Sequence, residues 1–105
     1  MNTSEIARTL SELGNETRLD IFRLLIKRGS TGMSIGDIGT ELSIAASTLA
    51  FHLKGLVQSG LISQEKQGRH TVCRANLDAL TTVLRQLEDE CCIDEDTQSN
   101  ERNTS

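Results

Sequence analysis

Apolar residues recur at spacings of three and four in five stretches of the chain, and this periodicity predicts five helices. The helices are expected over residues 3–13, 15–28, 34–42, 45–60 and 76–90. Gly14, Gly29 and Gly32 interrupt the pattern between the first three helices, and only Ser43 and Ile44 stand between the third and the fourth. Two helices joined by so short a turn predict a helix-turn-helix.

The second of these helices is the most apolar, and we expect it at the centre of the domain. The residues at core spacing in it are Leu19, Phe22, Leu25 and Ile26, with Ile21 and Leu24 widening the face. Polar residues before three of the helices predict caps: Asn15, Ser34 and Asn76 can each bond a backbone N–H in the first turn that follows.

The pattern changes from helical to extended after Gly60. A polar segment centred on Gly68 is followed by Thr71, Val72 and Cys73, two β-branched residues and a cysteine. This pattern predicts a β-hairpin whose tip is formed by residues 66–70. The expected fold class is therefore mostly α with a small β-hairpin.

The last helix carries more apolar surface than so small a domain needs. Its stripe consists of Leu77, Leu80, Val83, Leu84 and Leu87. A chain of 105 residues buries only a small core, so association is an expected source of stability, and part of the stripe should contact a partner subunit. Residues 1–93 are predicted to form one domain, and residues 94–105, which contain no apolar side chain, a disordered acidic and polar tail.

Residues 45–60 combine an apolar stripe with an unusual polar face. The stripe consists of Leu49, Leu53, Leu56 and Val57, and the side chains largely outside it are Ser47, Thr48, His52 and Lys54. None of these residues is a carboxylate that would repel a phosphate backbone, and Gly60 supplies the left-handed stop expected after a helix. This profile is typical of a helix that lies in a DNA groove.

The formal net charge of −4 argues against nucleic acid only until its distribution is considered. Residues 88–105 hold seven acidic side chains and one basic one, whereas residues 45–74 hold four basic and one acidic. The acidity therefore lies in the tail, and the presumed binding half is basic. No apolar run approaches the roughly 20 residues of a membrane span, and the N-terminus lacks a secretory signal pattern, so we expect a cytoplasmic protein.

Three stretches of the chain carry a family resemblance. They are ELGNETRLDIFRLL from Glu12, STLAFHLKGLVQSGLI from Ser47 and QGRHTVCRA from Gln67. In residues, order and spacing they resemble the arsenic-resistance repressor (ArsR/SmtB) family of bacterial metal-sensing regulators. The resemblance implies a winged helix-turn-helix homodimer, paired through its first and last helices, that binds operator DNA and releases it when a metal or metalloid ion binds.

The resemblance also implies which side chains meet DNA. It places Ser47, Thr48, His52 and Lys54 on the recognition helix and residues 67–70 in the wing, with Gln67, Arg69 and His70 as contacts. Hydroxyls can reach base edges or phosphates, and the cations can neutralise phosphates. His52 has an alternative interpretation as a packing residue at the back of the helix, and Lys66 as a solvated strand charge. A dimer presents two recognition helices about 34 Å apart, so the operator should be an imperfect palindrome.

Two effector sites known in the family are absent from this sequence. The arsenic site on the third helix uses Cys-x-Cys before Asp-Leu, whereas residues 34–38 here are Ser-Ile-Gly-Asp-Ile. The zinc site on the last helix uses spaced pairs of Asp and His, whereas the last helix here has no histidine. Zinc sensing at that position is not expected.

The remaining candidate ligands are thiols: Cys91 and Cys92 at the end of the last helix, and Cys73 in the second strand. A disulfide between Cys91 and Cys92 would be strained, since neighbouring Cα atoms are only about 3.8 Å apart. Trivalent arsenic is thiophilic and takes two or three sulfurs on one side, whereas zinc needs four ligands. We therefore predict a trivalent arsenical as effector, with no obligatory cofactor.

The position of Cys73 is expected to decide which arsenical binds. If Cys73 approaches the pair, arsenite can bind three sulfurs; if it is buried in the hairpin, methylated or aryl arsenicals, which need two, are favoured. Cys73 has an alternative interpretation as a small apolar strand residue. The alternative interpretation of Cys91 and Cys92 is that they are exposed thiols without function.

Two other functions compete with an arsenical-responsive repressor. One is a winged-helix repressor with the same fold that senses thiol oxidation through Cys73 and either Cys91 or Cys92. The other is a protein-interaction module or antirepressor that acts through its acidic tail and lacks salt-dependent DNA affinity. An enzyme is not expected, because no set of nucleophile, base and orienting group, no phosphate loop and no paired catalytic carboxylates stand out.

Overall fold

A computed structural model describes residues 1–95 of the chain. The helices are α1 Thr3–Leu13, α2 Glu16–Arg28, α3 Ile35–Leu42, α4 Ala46–Gln58 and α5 Leu77–Glu90. The strands are β1 Met33–Ser34, β2 Ile62–Gln67 and β3 His70–Ala75, and a 3₁₀ turn covers Gly29–Thr31. The predicted five helices and hairpin are confirmed. The predicted disordered tail falls, for residues 96–105, outside the described residues.

The three strands form one antiparallel sheet in the order β1-β3-β2. Met33 pairs with Cys73 at the β1 side, and Gln67 pairs with His70 at the hairpin end. The hairpin therefore closes through Gly68 and Arg69 alone. Gly68 has φ +60°, which suits the first central position of a type II′ turn. The tip is shorter than the predicted residues 66–70, because Lys66 still belongs to β2.

Two of the three predicted caps are confirmed, one is wrong, and α1 has a cap that was not predicted. The side chains of Asn15 and Ser34 accept hydrogen bonds from the third backbone N–H that follows each of them, at 3.0 and 3.1 Å. Asn2 caps α1 in the same way, with Glu5 bonding back to its N–H. Asn76 does not cap α5: its amide donates to the Gly60 carbonyl oxygen at 3.1 Å, so it ties α5 to the end of α4 instead.

The core is built around α2, as predicted, although the buried face is turned slightly from the predicted one. Ile21, Phe22 and Leu25 are fully buried, while Leu19 and Ile26 remain 38% and 37% exposed. The other members of the core are Met33, Ile38, Leu49, Leu53, Leu56, Leu61, Ile62 and Cys73. Helices α2, α3 and α4 thus pack on one another and on the sheet, which fixes the orientation of α4.

Helix α5 packs against α1, and its Ala79 and Leu80 pack against the edge of this core. Val83 is its only fully buried side chain, whereas Leu77, Leu84 and Leu87 stay 48%, 46% and 43% exposed. On the adjoining α1, Leu10 is 41% exposed. We call these four leucines the α1/α5 stripe. Among the described residues, no helix is long and apolar enough to cross a membrane.

Candidate DNA-binding surface and thiol pair

Helix α4 presents one face to the core and the opposite face to solvent. Leu49, Leu53 and Leu56 are 1%, 2% and 0% exposed, so they define the inner side. Because successive residues of an α-helix turn by about 100°, Ser47 and Lys54 lie nearly opposite this line, and both are exposed. Thr48 is also exposed, on the flank of the same face.

The turn before α4 fixes how the helix leaves α3. Ser43 ends α3 in the left-handed conformation, with φ 55° and ψ 46°. The Ile44 N–H donates to the Gly39 carbonyl oxygen at 2.9 Å, and a Cβ at Gly39 would lie only 3.2 Å from the Ile44 oxygen. The hydrogen bond and the close backbone approach at Gly39 hold the turn between the two helices of the predicted helix-turn-helix.

His52 lies between the inner and outer faces of α4 and is half-buried. The Arg18 side chain of α2 donates from Nε to His52 Nδ1 at 3.2 Å, so Nδ1 is the acceptor. His52 is therefore held by α2, which matches the packing interpretation of this residue. Its contact with DNA stays a prediction.

Arg18 also joins α4 to α1. Its guanidinium lies 3.3 Å from Glu12 Oε1, a buried oxygen that has this ion pair but no hydrogen bond of good geometry. Gly55 of α4 faces the same carboxylate, which a Cβ at that position would contact. A glycine in mid-helix thus lets a charged group of α1 reach Arg18, and the contacts run from Glu12 through Arg18 to His52.

The wing exposes its tip and fixes its base. Gln67, Arg69 and His70 are all exposed. At the base, Arg74 bonds Glu65 at 2.7 Å and donates to the Ser30 carbonyl oxygen at 2.7 Å.

The Arg74 hydrogen bond, a second bond from Gln67 and the charge of Arg74 lower the pKa of the Glu65 carboxyl. The Arg74 guanidinium is thus engaged in contacts within the protein. Within residues 1–95, Lys54, Lys66 and Arg69 form no ion pair, and their charges are available on this surface.

The structure brings two of the three cysteines together. Cys91 and Cys92 follow α5 directly, with Cys91 exposed and Cys92 partly so, and their sulfur atoms lie 2.6 Å apart. Cys92 adopts φ +69°, which bends the chain at the pair. The two thiols therefore present their sulfurs together at the end of a helix.

Cys73 lies in the core of the sheet and is 0% exposed. Burial raises the pKa of its thiol, and a hydrogen bond from the Gln64 amide, 3.6 Å from Sγ, opposes this rise in part. Across residues 1–95, no three side chains of the His, Cys, Asp or Glu type assemble into a metal site. Within one protomer, Cys73 is not joined to the pair.

Sequence reasoning missed two residues of this surface. Phe51 is 64% exposed at the centre of the outer face of α4, and Arg18 lies with Cζ 5.5 Å from the Phe51 ring centroid. The position of Phe51 midway between Leu49 and Leu53 is a signal that could have found it, because it places the ring opposite the apolar stripe. No local signal reveals Arg18, which is 34 residues away from His52.

The sequence is similar to known regulators over most of its length. A helix-turn-helix domain family (HTH_20) matches residues 13–65. The arsenical resistance operon repressor of Bacillus subtilis (strain 168) is 31% identical over 81 residues, which are 77% of this chain and 73% of that protein. The transcriptional activator HlyU of Vibrio cholerae is 26% identical over 89 residues, which are 82% of this chain and 80% of HlyU.

Solved structures share the fold. The ArsR-like transcriptional regulator from Rhodococcus sp. RHA1 superposes with a TM-score of 0.78 at 26% identity, over 97% of this chain and 93% of that one. The homodimeric winged helix-turn-helix DNA-binding domain Mb0332 from Mycobacterium bovis superposes with a TM-score of 0.67 at 26% identity, over 83% of this chain and 81% of that one. The likeness thus extends over all the helices and the wing.

Proposed function

The chain belongs to the ArsR family of winged helix-turn-helix transcriptional regulators, and from this premise we propose that it is an arsenical-responsive repressor. It binds palindromic operator DNA as a homodimer and releases it when a trivalent arsenical binds Cys91 and Cys92. The observation that carries the effector is the pair of sulfurs 2.6 Å apart at the exposed end of α5. Members of this family are DNA-binding regulators and not enzymes.

The outer face of α4 and the wing tip form the proposed DNA-binding surface. Its proposed contacts are Ser47, Thr48, His52, Lys54, Gln67, Arg69 and His70. Lys54 and Arg69 support this assignment because both are exposed and form no ion pair among the described residues. Such cations neutralise phosphates and position the protein, while hydroxyls and amides reach base edges.

The α1/α5 stripe is the proposed dimer interface. Its four leucines remain between 41% and 48% exposed, an apolar surface that association would cover. The related Mycobacterium bovis domain is homodimeric, which supports the same assembly here. A dimer of this kind holds the two recognition helices at a fixed distance, as a palindromic operator requires.

The proposed effector is a monosubstituted arsenical with two exchangeable positions, such as a methylated or aryl arsenical. Two thiolates satisfy it, and Cys91 and Cys92 supply both. Cys73 supports this preference over arsenite, because its thiol is fully buried and its pKa is raised by that burial. A third sulfur is thus withheld, and arsenite should bind more weakly.

Release follows from linkage between the two sites. A ligand that binds the DNA-free form more tightly weakens DNA binding by the same factor. Bonding both sulfurs to one arsenic fixes the backbone just after α5, and α5 carries three of the four leucines of the proposed interface. Ligation therefore alters the pairing of the protomers and the separation of the two α4 helices.

The test uses operator DNA selected from a random duplex library and followed by fluorescence anisotropy. Phenylarsine oxide should release the wild-type protein, and arsenite should do so only at higher concentration. The Cys91→Ser, Cys92→Ser double variant should bind DNA normally and resist release. Cys73→Ala is the matched control and should respond as the wild type does. Release of the double variant by phenylarsine oxide would reject the site.

A second candidate is a thiol-redox repressor. The predicted pairing of Cys73 with Cys91 or Cys92 is opposed by the burial of Cys73. The contact between the Cys91 and Cys92 sulfurs favours a disulfide between these two instead, because oxidation removes two electrons and two protons to join them. The strain of a disulfide between neighbours opposes it. Under this alternative, peroxide releases the DNA without any arsenical, and a dithiol reductant restores binding. HlyU is named an activator, so a promoter fusion should establish the sign of regulation.

A further inference from the structure

Phe51 stands out among the side chains on the outer face of α4. The chain has two phenylalanines; Phe22 is 1% exposed in the core, whereas Phe51 is 64% exposed. It lies between Ser47 and Lys54 on the face that we assign to DNA. A large apolar ring at the centre of a polar face has an unfavourable contact with water, and covering it would be favourable.

The ring is held in place from one side. The Arg18 guanidinium carbon lies 5.5 Å from its centroid, and the His52 ring meets it edge-on at 5.5 Å and 66°. Arg18 is itself fixed by its hydrogen bond to His52 and its ion pair with Glu12. The aromatic side chain is therefore positioned before any partner arrives, and little rotamer entropy is left to lose on binding.

We propose that Phe51 is a specificity-determining residue that contacts the C5-methyl group of a thymine in the operator. The inference rests on the proposed DNA-binding function of α4 and adds the base that it reads. In the major groove, base edges offer hydrogen-bond donors and acceptors, and the thymine methyl is the only apolar group. A phenyl ring cannot bond the polar edges and would leave them desolvated. The methyl group is thus its matching partner.

Stacking on a base is a less suitable role for this ring. It would require a base turned out of the duplex, as in single-stranded recognition, whereas a recognition helix in the major groove meets paired bases edge-on. A protein partner for Phe51 would leave DNA recognition unaffected by its removal. Both alternatives give results different from methyl recognition in the experiment below.

The experiment replaces single thymines by uracil, which removes only the methyl group. Operator preferences are first selected from a random duplex library with the wild type and with Phe51→Ala. Affinities are then measured by anisotropy on symmetric duplexes carrying uracil at one thymine of each half-site. At the position read by Phe51, uracil should weaken wild-type binding about fourfold per half-site, the effect of exposing one methyl group, and should leave Phe51→Ala unchanged.

Phe51→Leu keeps an apolar side chain and should retain part of the uracil effect. Thermal melting of each variant checks the fold, which should persist because the ring lies outside the core. If uracil has no effect at any thymine, or weakens wild type and Phe51→Ala equally, the inference is overturned while the proposed function stands. If the wild type selects no duplex sequence, both are overturned.

Discussion

Replacing Leu84 by Ala should weaken the dimer without disturbing the fold of the protomer. Leu84 is 46% exposed on the outer side of α5, whereas its neighbour Val83 is fully buried and holds the helix to the domain. A variant at Leu84 therefore removes apolar area from the proposed interface and leaves the packing of α5 on α1 in place.

The magnitude follows from the area that association would cover. Full burial of a leucine contributes about 1.5–3 kcal/mol, so covering the exposed half of Leu84 contributes about 1 kcal/mol. In a two-fold dimer the residue occurs twice, which gives about 2 kcal/mol for the assembly. A change of about 2 kcal/mol raises the dimer dissociation constant about 30-fold.

Sedimentation equilibrium over a dilution series measures this constant for the wild type and for Leu84→Ala. Leu19→Ala is a matched control, because Leu19 is a leucine of similar exposure, 38%, that lies on α2 and outside the α1/α5 stripe. We expect the control to dimerise as the wild type does. An unchanged constant in Leu84→Ala, or an equal loss in both variants, would refute the assignment of the interface.

Three further outcomes test the fold and its chemistry. Alkylation at neutral pH should modify two thiols rapidly and Cys73 only slowly, because Cys73 is buried and its thiol pKa is raised; mass spectrometry counts the products. Gly32→Ala should lower the free energy of unfolding in urea by about 2–4 kcal/mol, because φ is +69° and the new Cβ would lie 2.6 Å from the Cys73 carbonyl oxygen. Gly29→Ala, where φ is +58° but the new Cβ would meet no atom, should lower it by about 1–2 kcal/mol. The pKa of Glu65 is lowered first by its hydrogen bond to Arg74, so this contact stabilises the fold above pH 4.5, and the stabilisation is lost as pH falls through the folded-state pKa. The free energy of unfolding of Glu65→Gln in urea should therefore lack this part of the pH dependence.

The helices could be predicted from the sequence because their signals are local. A turn of helix repeats within four residues, and a cap such as Asn15 or Ser34 bonds an N–H only three residues away. The hairpin could be placed for the same reason, since Gly68 supplies the positive φ that its turn requires. Strand β1 could not be predicted, because two residues are too few to show an alternation of apolar and polar side chains. The strand exists only through its pairing with β3, about 40 residues later in the sequence.

The candidate site was less accessible to the sequence, because its geometry depends on contacts between distant residues. Asn76 resembles a cap, yet the Gly60 carbonyl oxygen competes for its side chain and binds it. His52 falls outside the apolar stripe, yet Arg18 from another helix determines what its Nδ1 can do. Cys73 is buried because β3 packs against α2, and the neighbouring residues of the sequence do not reveal which face of the strand meets that helix.

The position of the thiol pair matches the energetics that a sensor requires. Allosteric coupling free energies are typically about 1–3 kcal/mol, so an effector can displace only an element held by a comparable amount. Helix α5 is such an element, because it fully buries one side chain, Val83, whereas α2 buries three. Helix α1, on which α5 packs, carries Glu12, whose carboxylate pairs with Arg18 and lies against Gly55 of α4. A ligand at the end of α5 thus acts on a helix that is anchored by a single fully buried side chain, and that helix packs on α1, whose Glu12 lies against α4.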